Sequence, residues 1–189
     1  MTRYTDRPNT ALLVIDVQKG VVEPSPNREE LIANINTLLD KARAASAPVV
    51  WVQHSGTGME QGSPEWEYVD ELSRRDSEPL VHKKYGDSFA DTDLEQHLED
   101  LGVGRLVVTG AQTDMCIRST LHGALTRGYD ATLVSDAHGT EDMREWGAPM
   151  GPMDAVAYTN LYWSESRTHE ATGDVKPTAE VTFAQSLDV

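Results

Sequence analysis

The hydrophobic positions of this chain fall into short solid runs separated by stretches with helical spacing. Residues 11–15 (ALLVI), 49–53 (VVWVQ) and 106–108 (LVV) are continuous apolar segments rich in β-branched side chains. Such runs suit strands covered on both faces, as in a parallel sheet. Residues 79–82 (PLVH), 131–134 (ATLV) and 179–184 (AEVTFA) predict a third, a fifth and a last strand. Leu31, Ile35, Leu38, Leu39 and Ala42 recur at the spacing of an amphipathic helix, and so do Leu94, Leu98 and Leu101, which stop at Gly102. Gly110 is expected to break the fourth strand. Ile117, Leu121, Ala124 and Leu125 then predict a helix closed by Gly128. Trp66, Tyr68, Val69 and Leu72 predict a short helix behind an irregular loop over residues 54–64, which carries Gly56, Gly58 and Gly62. Residues 155–161 predict a final helical stretch.

Strands alternating with helices imply an α/β sheet with right-handed crossovers. With three strands before the central one, the expected order is 3-2-1-4-5-6, which puts strands one and four side by side. In such sheets ligands bind beyond the carboxyl ends of the strands, where the order reverses. The 189 residues show no repeat, low-complexity tract or linker, so one domain spanning 1–189 is expected.

Charge and composition narrow the classes of partner. Lys and Arg number 16 against 31 Asp and Glu, a formal charge of −15. That argues against nucleic-acid backbones and anionic membranes. It is compatible with a cationic substrate, although a solvated acidic surface is the simpler explanation. No apolar run approaches the roughly 20 residues of a membrane span. No signal peptide is expected from the first residues, and a single cysteine rules out an intramolecular disulfide, so a cytoplasmic setting is expected.

The candidate chemistry sits at the predicted strand ends. Asp16 ends strand one, Lys83 follows strand three, and Cys116 falls in the first turn of the helix after strand four, with Thr113 as its expected N-cap. A thiol at a helix N-terminus has a lowered pKa and more thiolate. Each residue also has an ordinary explanation: a packed core cysteine, a turn-forming aspartate, a solvated lysine. Together on one sheet edge they form a coherent nucleophilic set, with a carboxylate to accept the thiol proton and an ammonium to hold the ionised pair.

Three segments carry a family resemblance: ALLVIDVQ (11–18), the K-x-x-x-D-S-F-x-x-T-D-L run over 83–94, and VVTGAQTDMC (107–116). In this order they resemble the isochorismatase-like cysteine hydrolases, which include nicotinamidases and carbamoyl-amide hydrolases. The resemblance implies a three-layer α/β/α sandwich with a mostly parallel six-stranded sheet. It implies a catalytic triad of Asp16, Lys83 and Cys116, with Lys83 preferred over Lys84 because it lies six residues before Phe89. It also implies a cis peptide between Ala111 and Gln112, an oxyanion hole formed by the backbone N–H groups of Gln112 and Cys116, and a homodimer or larger homo-oligomer.

Departures from the family pattern narrow the reaction. The Asp-x-His-x-x-His cluster of metal-binding nicotinamidases is replaced by VQHSGTGME, in which His54 stands alone, so no metal and no cofactor are expected. The remaining histidines, His82, His97, His122, His138 and His169, are scattered. Cys116 favours C–N cleavage of a small amide, carbamoyl or lactam compound through a thioester. A vinyl-ether hydrolase with Asp16 as general acid, and a non-catalytic family member, are the alternatives. Gln18, Gln53, Trp66, Asn160 and Trp163 are candidate pocket-lining residues, each equally explained by packing.

Overall fold

The computed structural model describes residues 2–183. Six parallel strands form one sheet in the order β3-β2-β1-β4-β5-β6. They are β1 (Asn9–Ile15), β2 (Val49–His54), β3 (Leu80–Lys83), β4 (Val103–Ala111), β5 (Asp130–Gly139) and β6 (Gly173–Lys176). The helices are α1 (Lys19–Val22), α2 (Arg28–Ala44), α3 (Leu94–Asp100), α4 (Arg118–Arg127) and α5 (Pro152–Ser164).

Alternation along the strands sorts the core onto the two faces of the sheet. Ala11, Leu13 and Ile15 of β1 pack with Leu94 and Leu98 of α3, Leu121 and Ala124 of α4, and Trp163 of α5. Leu12 and Val14 point the other way, against Leu31, Ile35 and Leu38 of α2. The sheet is thus the middle of three layers, and β1 at its centre is buried on both sides. This is why residues 11–15 read as a solid apolar run rather than an alternating one.

Three expectations from the sequence are corrected. Gly110 does not end β4, which continues to Ala111. Its φ is +117°, and a Cβ there would lie 1.9 Å from the Ile15 carbonyl oxygen. The glycine therefore marks a close approach of two strands rather than a break. The expected short helix at Trp66, Tyr68, Val69 and Leu72 is a loop: Tyr68 donates to the Val52 carbonyl at 2.9 Å, while Val69 and Leu72 are buried in the core on the α2 side. The sixth strand lies at 173–176, not at 179–184, whose last residue falls outside the described part of the chain. The GDVK edge strand carries no apolar run to reveal it. The AEVTF stretch instead plugs the core with Val181 and Phe183, and Lys41 Nζ takes the carbonyls of Thr178, Ala179 and Val181 at 2.7, 3.0 and 3.2 Å.

Asp16 follows β1 in a left-handed turn with φ of +52°, a conformation Asp tolerates better than most residues. Its N–H donates to the Val52 carbonyl at 2.9 Å, so the backbone stays on the sheet edge while the chain turns away. Replacing Gly110 with Ala should cost more than about 3 kcal/mol in urea unfolding, because both the positive φ and the Ile15 backbone oppose a side chain. A cost below about 1 kcal/mol would show that the two strands separate freely at this point.

Candidate active site

The carboxyl ends of β1, β3 and β4 bring three reactive side chains together. Lys83 ends β3, and Asp16 follows β1, with β2 lying between the two strands. Neighbouring strands sit about 4.8 Å apart, so the gap to be crossed is roughly 10 Å. The lysine stem crosses it over His54, the β2 residue in register with Lys83. Lys83 Nζ lies 2.7 Å from Asp16 Oδ2, 3.1 Å from Cys116 Sγ, 3.1 Å from the Tyr85 carbonyl oxygen and 3.3 Å from His54 Nδ1. The Lys83 and Asp16 side chains are 0% and 1% exposed, whereas Cys116 is half-buried. Lys84, the alternative lysine, is exposed. Both oxygens of the Asp16 carboxylate are buried, and the carboxylate faces the Lys83 ammonium and the Cys116 side chain.

Electrostatics set the resting charge state. Burial, reinforced by the Asp16 carboxylate, pushes the Cys116 thiol up to about 12 against the pull of Lys83. The expected low-pKa thiolate is therefore reversed, and the resting sulfur is protonated. Burial also raises Asp16, and the neighbouring ammonium draws it part of the way back. For Lys83, burial favours the neutral amine, but Asp16 and Cys116 together outweigh it and hold the ammonium, so its pKa rises. His54 is lowered by burial and by Lys83. The thiol thus sits between the Lys83 ammonium and a carboxyl group that burial raises and the ammonium lowers.

Ligand atoms of Asp16, His54 and Cys116 lie within 4.8 Å of one another, close enough to hold a metal ion. The Lys83 ammonium contacts all three, so the protein's own cation takes the position a metal would need.

The turn that carries the sulfur is a π-helical turn, Thr113–Ile117, entered through a cis peptide between Ala111 and Gln112. The N–H groups of Met115 and Ile117 both donate to the Gln112 carbonyl at 3.1 Å. Thr113 is not the expected N-cap: α4 begins only at Arg118, and the Thr113 hydroxyl lies 2.8 Å from His138 Nδ1.

Of the candidate pocket residues, three brace the loop over 54–66. Gln18 Nε2 donates to the carbonyls of His54 and Trp66 at 2.9 and 2.7 Å, and its Oε1 accepts from the His54 N–H at 2.8 Å. Gln53 Nε2 adds a bond to the Trp66 carbonyl at 2.9 Å, and Trp66 Nε1 donates to Ser55 Oγ at 3.0 Å. Asn160 is bonded to His138 and to the Ser135 carbonyl, and Trp163 is a fully buried core residue donating to the Ala131 carbonyl at 2.9 Å. The structure does not bring Asn160 or Trp163 to the three reactive groups. A cavity of about 500 Å³ lies beside the turn, lined by Asp114, Arg118, Glu141, Met143, Tyr158 and Tyr162, and none of the three reactive groups lines it.

The family model for the isochorismatase domain matches residues 10–159, a span that includes Asp16, Lys83 and Cys116. The chain belongs to the isochorismatase family. It is 39% identical over 143 residues to a streptothricin hydrolase from Streptomyces noursei, covering 72% of this chain and 57% of that protein, so the match spans little more than half of the relative. It is 34% identical over 142 residues to the secreted isochorismatase effector Isc1 of Verticillium dahliae, covering 71% of this chain and 75% of the effector. Among solved structures, an isochorismatase from Pseudomonas putida superposes with a TM-score of 0.78 at 27% identity, covering 94% of this chain and 92% of that one. No helix among the described residues is long and apolar enough to cross a membrane.

Two residues of this isochorismatase-family site carry no distinguishing motif in the sequence. His54 looked isolated once its metal partners were missing, yet it accepts at the lysine. His138 belongs to no motif, and its only signal in the sequence is its place near the end of the fifth strand, as Asp16 follows the first. The raised thiol is directly measurable, because Cys116 is the chain's single cysteine. Iodoacetamide should alkylate it at pH 8 at least about tenfold more slowly than a free thiol, with a rate still rising above pH 10. A plateau above about pH 8.5 would mean that the sulfur is not held against the carboxylate.

Proposed function

We propose that this chain is a cysteine hydrolase that cleaves a C–N bond in a small amide, carbamoyl or lactam compound. The observation that carries the reading is the single ammonium of Lys83 touching both the Asp16 carboxylate and the Cys116 sulfur in a buried site. Among its relatives are the streptothricin hydrolase of Streptomyces noursei and, at 29% identity, nicotinamidase 3 of Arabidopsis thaliana, both named for hydrolysis of nitrogen compounds.

In the first step Cys116 Sγ attacks the substrate carbonyl carbon while its proton passes to the Asp16 carboxylate beside it. This general-base route suits a resting thiol, since no free thiolate need accumulate. The oxyanion is received by the backbone N–H groups of Gln112 and Cys116, and each such donor contributes on the order of 3 kcal/mol to the transition state. Asp16 then delivers its proton to the leaving nitrogen, the C–N bond breaks, and an acyl-thioester on Cys116 remains. In the second step Asp16 takes a proton from water as the water oxygen attacks the thioester carbon. The thioester bond breaks, and Cys116 recovers its proton from Asp16 as the acid product leaves. Lys83 keeps the carboxylate in place throughout and needs no change of protonation.

The reading includes a reducing compartment, the cytoplasm, since a half-buried thiol must stay reduced to act. It also includes assembly into a homo-oligomer, which would cover the exposed apolar side chains of Trp146, Met153, Tyr158 and Leu161.

The test is a panel of amides, ureas and lactams assayed for ammonia or amine release by the wild type and Cys116→Ala. The variant should lose on the order of a thousandfold or more in kcat/KM. Because burial raises Asp16, the acid limb of kcat/KM should fall at a pH above the ordinary carboxylate value of 3.8, with activity lost as pH drops through it. Full turnover of the panel by Cys116→Ala would overturn the nucleophilic role of the cysteine, and hydrolysis of a vinyl ether by both proteins with no amine release from the panel would instead point to ether hydrolysis led by Asp16.

A further inference from the structure

The turn that carries Cys116 and the residue before it are gripped by His138 of β5 and by Thr140 and Glu141 just past the end of that strand. Gln112 Nε2 donates to Glu141 Oε1 at 3.0 Å, and Thr140 Oγ1 donates to Asp114 Oδ1 at 2.7 Å. Between these two partly exposed bonds lies a buried one, Thr113 Oγ1 to His138 Nδ1 at 2.8 Å. His138 is fully buried, and its second nitrogen is also engaged: Nε2 lies 3.0 Å from Asn160 Oδ1.

This chain of contacts fixes the imidazole tautomer. Asn160 Nδ2 donates to the Ser135 carbonyl at 3.1 Å, which turns the amide oxygen toward His138. An amide oxygen can only accept, so Nε2 carries the proton. Nδ1 is then a bare acceptor, and the Thr113 hydroxyl donates to it. The ring has one role left at each nitrogen, and both are filled. Burial favours this neutral form, lowering the histidine to about 4, so protonation does not disturb the arrangement near neutral pH.

A π-helical turn is an uncommon conformation that recurs at functional sites. Here its first residue is tied, through a neutral and tautomer-locked ring, to β5 and to α5. The two residues implied for the oxyanion, Gln112 and Cys116, bracket the anchored threonine within four positions. We propose that His138 is a positioning residue for the reaction, holding the Thr113–Ile117 turn so that the Cys116 sulfur stays against Lys83 and Asp16. This rests on the reading of Cys116 as the nucleophile. A histidine that merely filled core volume would tolerate loss of the hydroxyl bond, provided the shape at residue 113 were kept.

The experiment compares iodoacetamide alkylation of Cys116 across pH in the wild type, Thr113→Val, Thr113→Ser and Asn160→Leu, each checked for cooperative thermal unfolding. Valine keeps the shape of threonine and removes the hydroxyl, whereas serine keeps the hydroxyl and removes the methyl. Thr113→Val should react about tenfold or more faster at pH 8, with its profile shifted toward that of a free thiol, as the sulfur is released from the carboxylate. Thr113→Ser should stay within about twofold of the wild type, since the bond is retained. Asn160→Leu, which removes the acceptor that fixes Nε2–H from a different helix, should shift in the same direction as Thr113→Val. It also decides the matter if Thr113→Val unfolds. A Thr113→Val profile that coincides with the wild type, a serine variant that tracks valine, or an unchanged Asn160→Leu profile would each overturn the proposal. If Cys116→Ala retained hydrolysis, the catalytic reading would fail, while these alkylation profiles would still report whether His138 holds the turn.

Discussion

A buried ion pair organises this molecule. The Asp16 carboxylate and the Lys83 ammonium meet at 2.7 Å with almost no exposure to solvent. Each charge alone would be costly at that depth, and their attraction offsets the loss of water only when the geometry is good. The geometry comes from the sheet. Parallel strands all end on one side, so residues separated by 67 and then 33 positions arrive at the same edge. The pair straddles β2, and only a long cationic side chain spans that distance. The turn after β4 then adds the sulfur as a further acceptor of the same ammonium.

The pair also explains why the thiol rests protonated. With the carboxylate charge already balanced by the ammonium, a second anion beside it would be uncompensated. Burial and Asp16 therefore lift the cysteine well above a free thiol. In the proposed mechanism the starting state is a protonated thiol beside the ion pair rather than a standing thiolate, which links the acid–base role proposed for Asp16 to the depth at which it is buried. Gly110 belongs to the same design: without a side chain it lets β4 approach the Ile15 backbone, which sets the turn bearing Cys116 next to Asp16.

Much of this was legible in the sequence, and what was not has physical causes. The solid run ALLVI announced a strand buried on both faces, and the strand-end positions of Asp16, Lys83 and Cys116 announced one shared edge. The last strand was misplaced because an edge strand such as GDVK makes its ladder with backbone groups and leaves its side chains half-buried or exposed, while the apolar AEVTF segment does its work as a plug. The spacing of Trp66, Tyr68, Val69 and Leu72 resembled a helix because a loop that folds back onto a core also buries a subset of its side chains. The direction of the thiol shift was hidden for a different reason. Helix position can be read along the chain, but the burial of Asp16 and its distance from the sulfur exist only in three dimensions. The bond from Thr113 to His138 was hidden in the same way, since its two ends lie 25 residues apart.

The central claim is that Asp16 and Lys83 act as one electrostatic unit, and a double-mutant cycle on folding stability tests it most directly. Asp16→Asn and Lys83→Met, singly and together, would be compared by urea unfolding at neutral pH. Each single change strands the partner's charge and should cost about 3–5 kcal/mol, and the double variant should cost at least about 2 kcal/mol less than the sum. Additivity of the two costs within about 0.5 kcal/mol would contradict the account, because it would mean that the two charges are held independently of each other.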